Sequence, residues 1–166
     1  MSLVLSIAKQ TDLPIIVNIY NQSIPNHEVT ADLNPVTVAD RQEWFDIHQP
    51  NHYPIWMIKD ADKTIGWLSL SPFYGRGGYA QTTEISIYLD QTLTGHGYGS
   101  QIMAQLPRCL TALNFTSVVA YIFDSNTASL HLFHKFGYQE WGHLPQVANM
   151  AGTSRDLIIL GRHYNN

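Results

Sequence analysis

The sequence predicts a mixed α/β (α+β) domain, in which a central mixed, mostly antiparallel and twisted sheet of about seven strands is flanked by about four helices. Three observations predict it. Strand-like and helix-like periodicities run in the order strand, two helices, three strands, then helix and strand in alternation. Two of the strands, PIWMIKD and TIGWLSLSPF, are separated only by a polar turn at 60–63, the pattern of an antiparallel hairpin. The alternation in the second half implies crossover connections, so the sheet is mixed and carries helices on both faces.

Residues 3–7 read as the first strand. Thr11 and Asp12 then open a helix whose apolar residues Leu13, Ile16, Val17 and Tyr20 recur at helical period. Thr37 is placed to cap a second helix through Trp44, Phe45 and Ile47, which Pro50 ends. After the hairpin, residues 81–90 form a third long strand. Because strand side chains alternate, Ile85, Ile87 and Leu89 project to one face while Glu84, Ser86 and Tyr88 project to the other. The first face is apolar; the second is able to line a cleft. A glycine loop at 95–99 leads into a helix over about 100–113. Pro107 lies inside that helix, removes a hydrogen bond to the Met103 carbonyl and is expected to kink or break it. A strand at 117–122, a helix at 127–136 and strands near 138–144 and 155–162 complete the pattern. Trp44, Trp56 and Trp67 are expected in the core.

The 166 residues contain no internal repeat, low-complexity tract or linker, which points to a single domain over 1–166. Charged residues make up only 13% of the chain, about half of the ~25% usual in soluble domains. Nine Lys and Arg against thirteen Asp and Glu give a net charge of −4, with no basic cluster to neutralise a phosphate backbone, so nucleic acid is not an expected partner. No stretch reaches the ~18 apolar residues of a membrane span, and the N-terminus lacks the basic flank of a secretory signal. The expectation is a cytoplasmic protein without a membrane partner. Cys109 is the only cysteine, which excludes an internal disulfide, and its apolar helical surroundings assign it to packing.

In SIYLDQTLTGHGYGSQIM, Gly95, Gly97 and Gly99 stand between a strand and a helix. Glycines let backbone N–H groups converge, and a helix N-terminus adds partial positive charge, so the segment suits a phosphate or pyrophosphate. A Walker loop would need Gly-Lys-Ser/Thr, and no Lys is near. A dinucleotide fingerprint would need GxGxxG, whereas the spacing here is GxGxG.

At this loop the sequence resembles the GNAT family of N-acetyltransferases, whose acetyl-CoA loop reads Gln/Arg-x-x-Gly-x-Gly/Ala. It is more narrowly similar to the phosphinothricin and methionine sulfoximine acetyltransferase group. The similarity covers nearly the whole chain, including TDLPIIVNIYNQSI, NPVTVADRQEWFDIHQPNHYPIWMIKD, IGWLSLSPFYGRGGYAQTTEISIYLD and DSNTASLHLFHKFGYQEWGHL. The resemblance implies the GNAT fold, acetyl-CoA as cosubstrate with no metal, a small-molecule amine as acceptor, and a homodimer. It also implies that the backbone of Ile87, Tyr88 and Leu89 aligns the pantetheine arm. The pyrophosphate then falls to Gly95, His96, Gly97, Tyr98, Gly99 and Ser100. Asn126, Ser129 and Phe133 share one helix face with Leu130, at offsets of three, four and seven, and complete the implied cofactor site. Asn126 is able to bond the pantetheine amide, to cap its helix, or to do both. Three positions depart from the family: Thr94 replaces Gln or Arg, Phe133 replaces a tyrosine that many members use to protonate the thiolate, and Ser154-Arg155-Asp156 replaces Trp-x-Asp.

Acetyl transfer to an amine needs a neutral nitrogen, a positioned thioester and a donor for the developing oxyanion. Glu84 is the candidate base, because a carboxylate within a strand is costly unless paired or facing solvent. Arg76, with Tyr79 in the loop before that strand, is the candidate clamp for a substrate carboxylate or phosphinate. His134 lies at the margin of the cofactor face and is the remaining candidate acid, or else a surface or dimer-contact residue. His131 and His134 form HxxH without an obvious third ligand, so no metal is expected. Acceptors considered beside an amino acid are a polyamine, an aminoglycoside and a protein amine. A CoA-binding sensor without catalysis is the alternative of a different class.

Overall fold

The computed structural model describes residues 2–164. Its strands are β1 (Val4–Ile7), β2 (Ile55–Asp60), β3 (Lys63–Pro72), β4 (Thr82–Leu89), β5 (Ser117–Phe123), β6 (Gln139–Met150) and β7 (Thr153–His163). Its α-helices are α1 (Leu13–Gln22), α2 (Val38–Ile47), α3 (Tyr98–Ala112) and α4 (Thr127–Lys135). The seven strands form one sheet in the order β1-β2-β3-β4-β5-β7-β6. Only the β4–β5 pair is parallel; every other neighbouring pair is antiparallel.

Each sheet face buries its own apolar cluster. On one face Ile102, Met103, Leu106 and Leu110 of α3 and Phe133 of α4 pack on Leu68, Leu70, Ile85 and Val118. On the other, Leu13, Ile16, Val17 and Tyr20 of α1 pack on Ile55, Met57 and Trp67, with Trp44 and Phe45 of α2 at the edge. Trp67 is fully buried, whereas Trp44 and Trp56 are half-buried. α2 begins where the sequence placed it: the Thr37 hydroxyl accepts from the Asp40 N–H and the Asp40 carboxylate accepts from the Thr37 N–H, a reciprocal cap. Among the described residues no helix is long and apolar enough to cross a membrane.

Two expectations are corrected. α3 begins at Tyr98 and runs through Pro107 as one helix. Pro107 therefore does not break the helix, whose sheet face is anchored by four buried residues. β6 and β7 are also longer than their apolar patterns, meeting at a turn where Ala151 and Gly152 both take positive φ. β6 is an edge strand in which Met150 alone is buried, so no burial alternation marks its length.

The decisive feature is where pairing stops. β4 and β5 pair only at Thr82–Ser117, Thr83–Val118 and Glu84–Val119. Beyond Glu84, β4 stays registered with β3 to Leu89, and β5 stays registered with β7 to Phe123. The two halves of the sheet therefore part, and a wedge opens between them with Glu84 at its apex.

Candidate active site

A groove of about 760 Å³ follows the wedge. Ile87, Tyr88 and Leu89 of β4 and Ala120 to Phe123 of β5 form its sides, and Asn126, Ser129 and Phe133 of α4 lie along it. On the other side of β4 is a smaller cavity of about 280 Å³, walled by Ile16, Val17 and Tyr20 of α1, Arg41 and Trp44 of α2, and Trp67. Glu84, Ser86 and Tyr88 line both spaces. The polar face of one strand thus separates a long groove from a compact aromatic cavity, and the parted strands connect them.

Glu84 is half-buried, and burial alone raises its carboxyl above the usual carboxylate range. No ion pair to it occurs among the described residues. Tyr88 stacks on Trp67 at 4.8 Å between centroids, and its burial raises the phenol pKa, so it remains neutral. Arg41 lines the cavity, pairs with Asp32 at 2.8 Å and lies 4.6 Å from the centre of the Tyr20 ring. The Tyr20 hydroxyl also bonds Thr30 and Asp32, so the chain between α1 and α2 is tied to the cavity wall.

At the far end of the groove, Thr94 and Gly99 are lining residues, and Gly95, His96, Gly97, Tyr98 and Ser100 build the turn around them. Gly97 is the N-cap of α3 with φ +70°, and Gly95 has φ +81°, the left-handed region that disfavours any side chain. No side chain caps this helix start, so its first N–H groups remain for an anion. A Cβ at either glycine would meet open space, so the requirement is conformational and the cradle stays clear. This arrangement fits a pyrophosphate. Gly97→Ala should weaken acetyl-CoA binding about tenfold, since holding a side chain in the left-handed conformation costs roughly 1–2 kcal/mol; calorimetric titration of the variant measures it.

The other side chains around the loop point elsewhere. The Tyr98 hydroxyl donates to Asp60 at 2.8 Å, and His96 stacks on the Tyr98 ring. Asn126 caps α4 by accepting from the Ser129 N–H at 3.2 Å, while still lining the groove. Phe133 is buried edge-on against Tyr138, and His134 Nδ1 is tied to the Tyr138 carbonyl at 3.0 Å, outside the groove lining. Arg76 and Tyr79 are exposed in the loop before β4 and line neither space. Among the described residues no group of three or more His, Cys, Asp or Glu is disposed to hold a metal ion.

The sequence pattern does not single out Arg41, Lys135, Ser71 or His48, which the fold brings to the site. Arg41 carries no motif, and only the packing of α2 against α1 brings it to the cavity. Lys135, at the end of α4, donates to Ser100 Oγ at 3.0 Å and sets a cation beside the glycine loop. Its signal was its place in the last turn of a helix already assigned to the cofactor face.

A parallel strand pair that parts at a half-buried carboxylate, with a glycine-rich helix start at the end of the opening, defines a CoA-dependent acyltransferase. The chain belongs to the acetyltransferase (GNAT) family, whose profile matches residues 16–138. It is 42% identical over 159 residues to YwnH of Bacillus subtilis (strain 168), provisionally named a phosphinothricin acetyltransferase, covering 95% of this chain and 97% of that protein. It is 33% identical over 150 residues to an L-methionine sulfoximine/L-methionine sulfone acetyltransferase of Pseudomonas paraeruginosa, covering 90% of this chain and 87% of the other. The crystal structure of a GNAT superfamily phosphinothricin acetyltransferase from Sinorhizobium meliloti in complex with AcCoA superimposes with a TM-score of 0.90 at 28% identity, covering 99% of this chain and 90% of that one.

Proposed function

We propose that the protein is a single-domain N-acetyltransferase that moves the acetyl group of acetyl-CoA to the primary amine of a small molecule, the α-amine of an amino acid or an analogue of the phosphinothricin or methionine sulfoximine type. Glu84 is its general base. The observation that carries this reading is the position of Glu84 at the apex of the wedge, lining both the groove and the acceptor cavity.

Acetyl-CoA, when bound, supplies a thioester whose carbonyl carbon accepts the amine. The chain's own residues do the rest. The start of α3 and Lys135 hold the phosphates, and the freed β4 edge at Ile87 to Leu89 aligns the pantetheine arm and offers a backbone N–H to the thioester carbonyl. Asn126 keeps its amide N–H₂ for the same arm while its oxygen caps α4. Phe133 packs against the arm and has no proton to donate, so the departing thiolate, a good leaving group, takes its proton from solvent. Glu84 takes the amine proton from the other side of the strand.

Arg41 is the cation that faces the acceptor, with donors left over from its pairing with Asp32. A carboxylate on the α-carbon meets Arg41 from within the cavity, whereas Arg76, with Tyr79, reaches an acceptor only from the exposed loop. Arg41→Ala should raise KM for an amino-acid acceptor about tenfold, the loss of one charge-assisted hydrogen bond. Arg76→Ala should raise it less; steady-state kinetics of the two variants rank the clamps, and the reverse order would return the clamp to Arg76.

The protein acts in the cytoplasm and as a homodimer. The exposed Trp141 and Leu144 on edge strand β6 support the second point. The test of the function is CoA release across a panel of amino acids and their analogues, with calorimetric acetyl-CoA binding alongside. Turnover of a small anionic amine is expected; acetyl-CoA binding without turnover of any amine would overturn the reading in favour of a CoA sensor.

A further inference from the structure

Ser71 stands directly opposite Glu84 in the β3–β4 register, and both side chains line the acceptor cavity. Behind Ser71 is His48, the residue after α2. His48 Nδ1 lies 2.6 Å from the Trp44 carbonyl oxygen, and Nε2 lies 3.2 Å from Ser71 Oγ. A carbonyl only accepts, so Nδ1 carries the proton, and in the neutral ring Nε2 is left as an acceptor. The Ser71 hydroxyl therefore donates backward to His48 and turns its lone pairs toward the cavity.

We propose that Ser71 is a second polar contact for the acceptor amine, accepting one of its N–H bonds from the β3 side while Glu84 takes a proton from the β4 side, and that His48 is the positioning residue that keeps Ser71 an acceptor. The proposal rests on the acetyl-transfer reading and adds a determinant of how the amine is held. An amine arrives as an ammonium with three donors, and one carboxylate cannot satisfy them all. Ser69 and Ser86 also line the cavity but pair with each other in the register; Ser71 is the hydroxyl residue that stands opposite Glu84. The cavity's one cation, Arg41, repels an ammonium, so a neutral acceptor opposite Glu84 gives the nitrogen a fixed place between two strands.

The arrangement is sensitive to the charge on His48. Protonation makes Nε2 a donor, Ser71 Oγ must then accept from it, and the hydroxyl proton turns into the cavity against the ammonium. Burial holds the His48 pKa below the ordinary histidine value, opposed by the bond to the Trp44 carbonyl, so the ring is neutral at neutral pH. The charged groups on the elements around it are Glu84 on β4 and Arg41 on α2, both lining the cavity with Ser71, and Glu43 and Asp46 on α2 itself. None of them contributes to the shift.

The experiment measures KM and kcat for the amine from about pH 5 to about pH 8 in wild type, Ser71→Ala, Ser71→Thr and His48→Gln, with acetyl-CoA affinity as the check on folding. In wild type, KM for the amine should rise on acidification through the His48 pKa, while the acid limb of kcat belongs to Glu84. Ser71→Ala should raise KM roughly ten- to a hundredfold at pH near 8, the loss of a hydrogen bond to a charged group, and Ser71→Thr should restore it. His48→Gln keeps an acceptor for Ser71 that does not titrate, so its KM should stay within about threefold of wild type near pH 8 and lose the rise in acid. A wild-type KM that is flat over this range, an unchanged KM in Ser71→Ala, or a persistent acid rise in His48→Gln overturns the proposal. A flat wild-type profile overturns the proposal even if a variant fails to fold, and persistence of the acid rise in His48→Gln assigns that rise to Glu84 instead. Turnover indifferent to Ser71 and His48 removes this inference alone, whereas a wild-type protein that acetylates no amine removes the acetyl-transfer reading with it.

Discussion

Glu84→Gln should lower kcat by roughly 10²–10⁴-fold, the range for loss of a general base, and leave acetyl-CoA affinity near wild type. The amide is nearly isosteric, so the wedge and groove keep their shape while the proton acceptor is lost. The pH profile should identify the group. Burial raises the Glu84 pKa, so the wild-type acid limb in kcat lies above the ordinary glutamate value, and the variant's residual rate should lack it. Stability should move in the opposite direction to activity. A carboxyl whose folded pKa is raised favours the folded state fully below its unfolded pKa, and that advantage is lost as pH rises through the folded value. At neutral pH the wild-type protein therefore holds a charge it would be more stable without, and Glu84→Gln should melt higher. That gain should disappear in acid, where both states of the wild type are protonated. Thermal melts at neutral and acid pH check the sign; a variant less stable than wild type at neutral pH would mean that the carboxylate has a stabilising partner. Stability given up at a working residue is a common trade in enzymes.

The alternation in TTEISIYL was enough to put Glu84, Ser86 and Tyr88 on one face of a strand, because a strand buried on its other side has only one register that keeps its isoleucines in the core. The wedge was not legible. Whether β4 and β5 pair over three residues or eight is decided by the partners each strand keeps, β3 and β7, and neither strand's own pattern records it. The same reason hid Arg41 and the Ser71–His48 pair. α2 has its cap written in its sequence, but the face it turns to α1 and β3 is set by tertiary packing of Trp44 and Phe45, and that choice brings Arg41 and His48 to the acceptor side. Arg76 stands out in the sequence because charge is scarce in this chain, yet scarcity marks a residue without locating it. Lys135 shows the reverse: the glycine loop reads as a site made of backbone alone, and a side chain from α4 supplies its cation only once α3 and α4 share a sheet face.

Gly66→Ala should destabilise the fold by about 3 kcal/mol, the upper end for overpacking, and weaken acetyl-CoA binding along with it. Gly66 lies on β3 opposite Leu89, and a Cβ there would come within 2.4 Å of the Tyr88 carbonyl oxygen and 2.7 Å of Leu89 Cδ2. The side chain of Leu89 is able to rotate away; the carbonyl of Tyr88 belongs to the backbone of β4 and moves only with the strand. At 2–4 °C per kcal/mol for a domain of this size, the melting temperature should fall by roughly 6–12 °C. The functional consequence follows from direction. β3 cannot yield easily, because it is hydrogen-bonded to β2 along its other edge, whereas beyond Glu84 β4 has no partner on the β5 side. The added methyl should therefore push Tyr88 and Leu89 into the wedge, narrowing the groove where the pantetheine arm lies. Acetyl-CoA affinity measured well below the variant's melting temperature separates the two effects. A variant that melts lower yet binds acetyl-CoA as wild type would show that β3 gives way instead, and that the freed edge of β4 is stiffer than its missing ladder suggests.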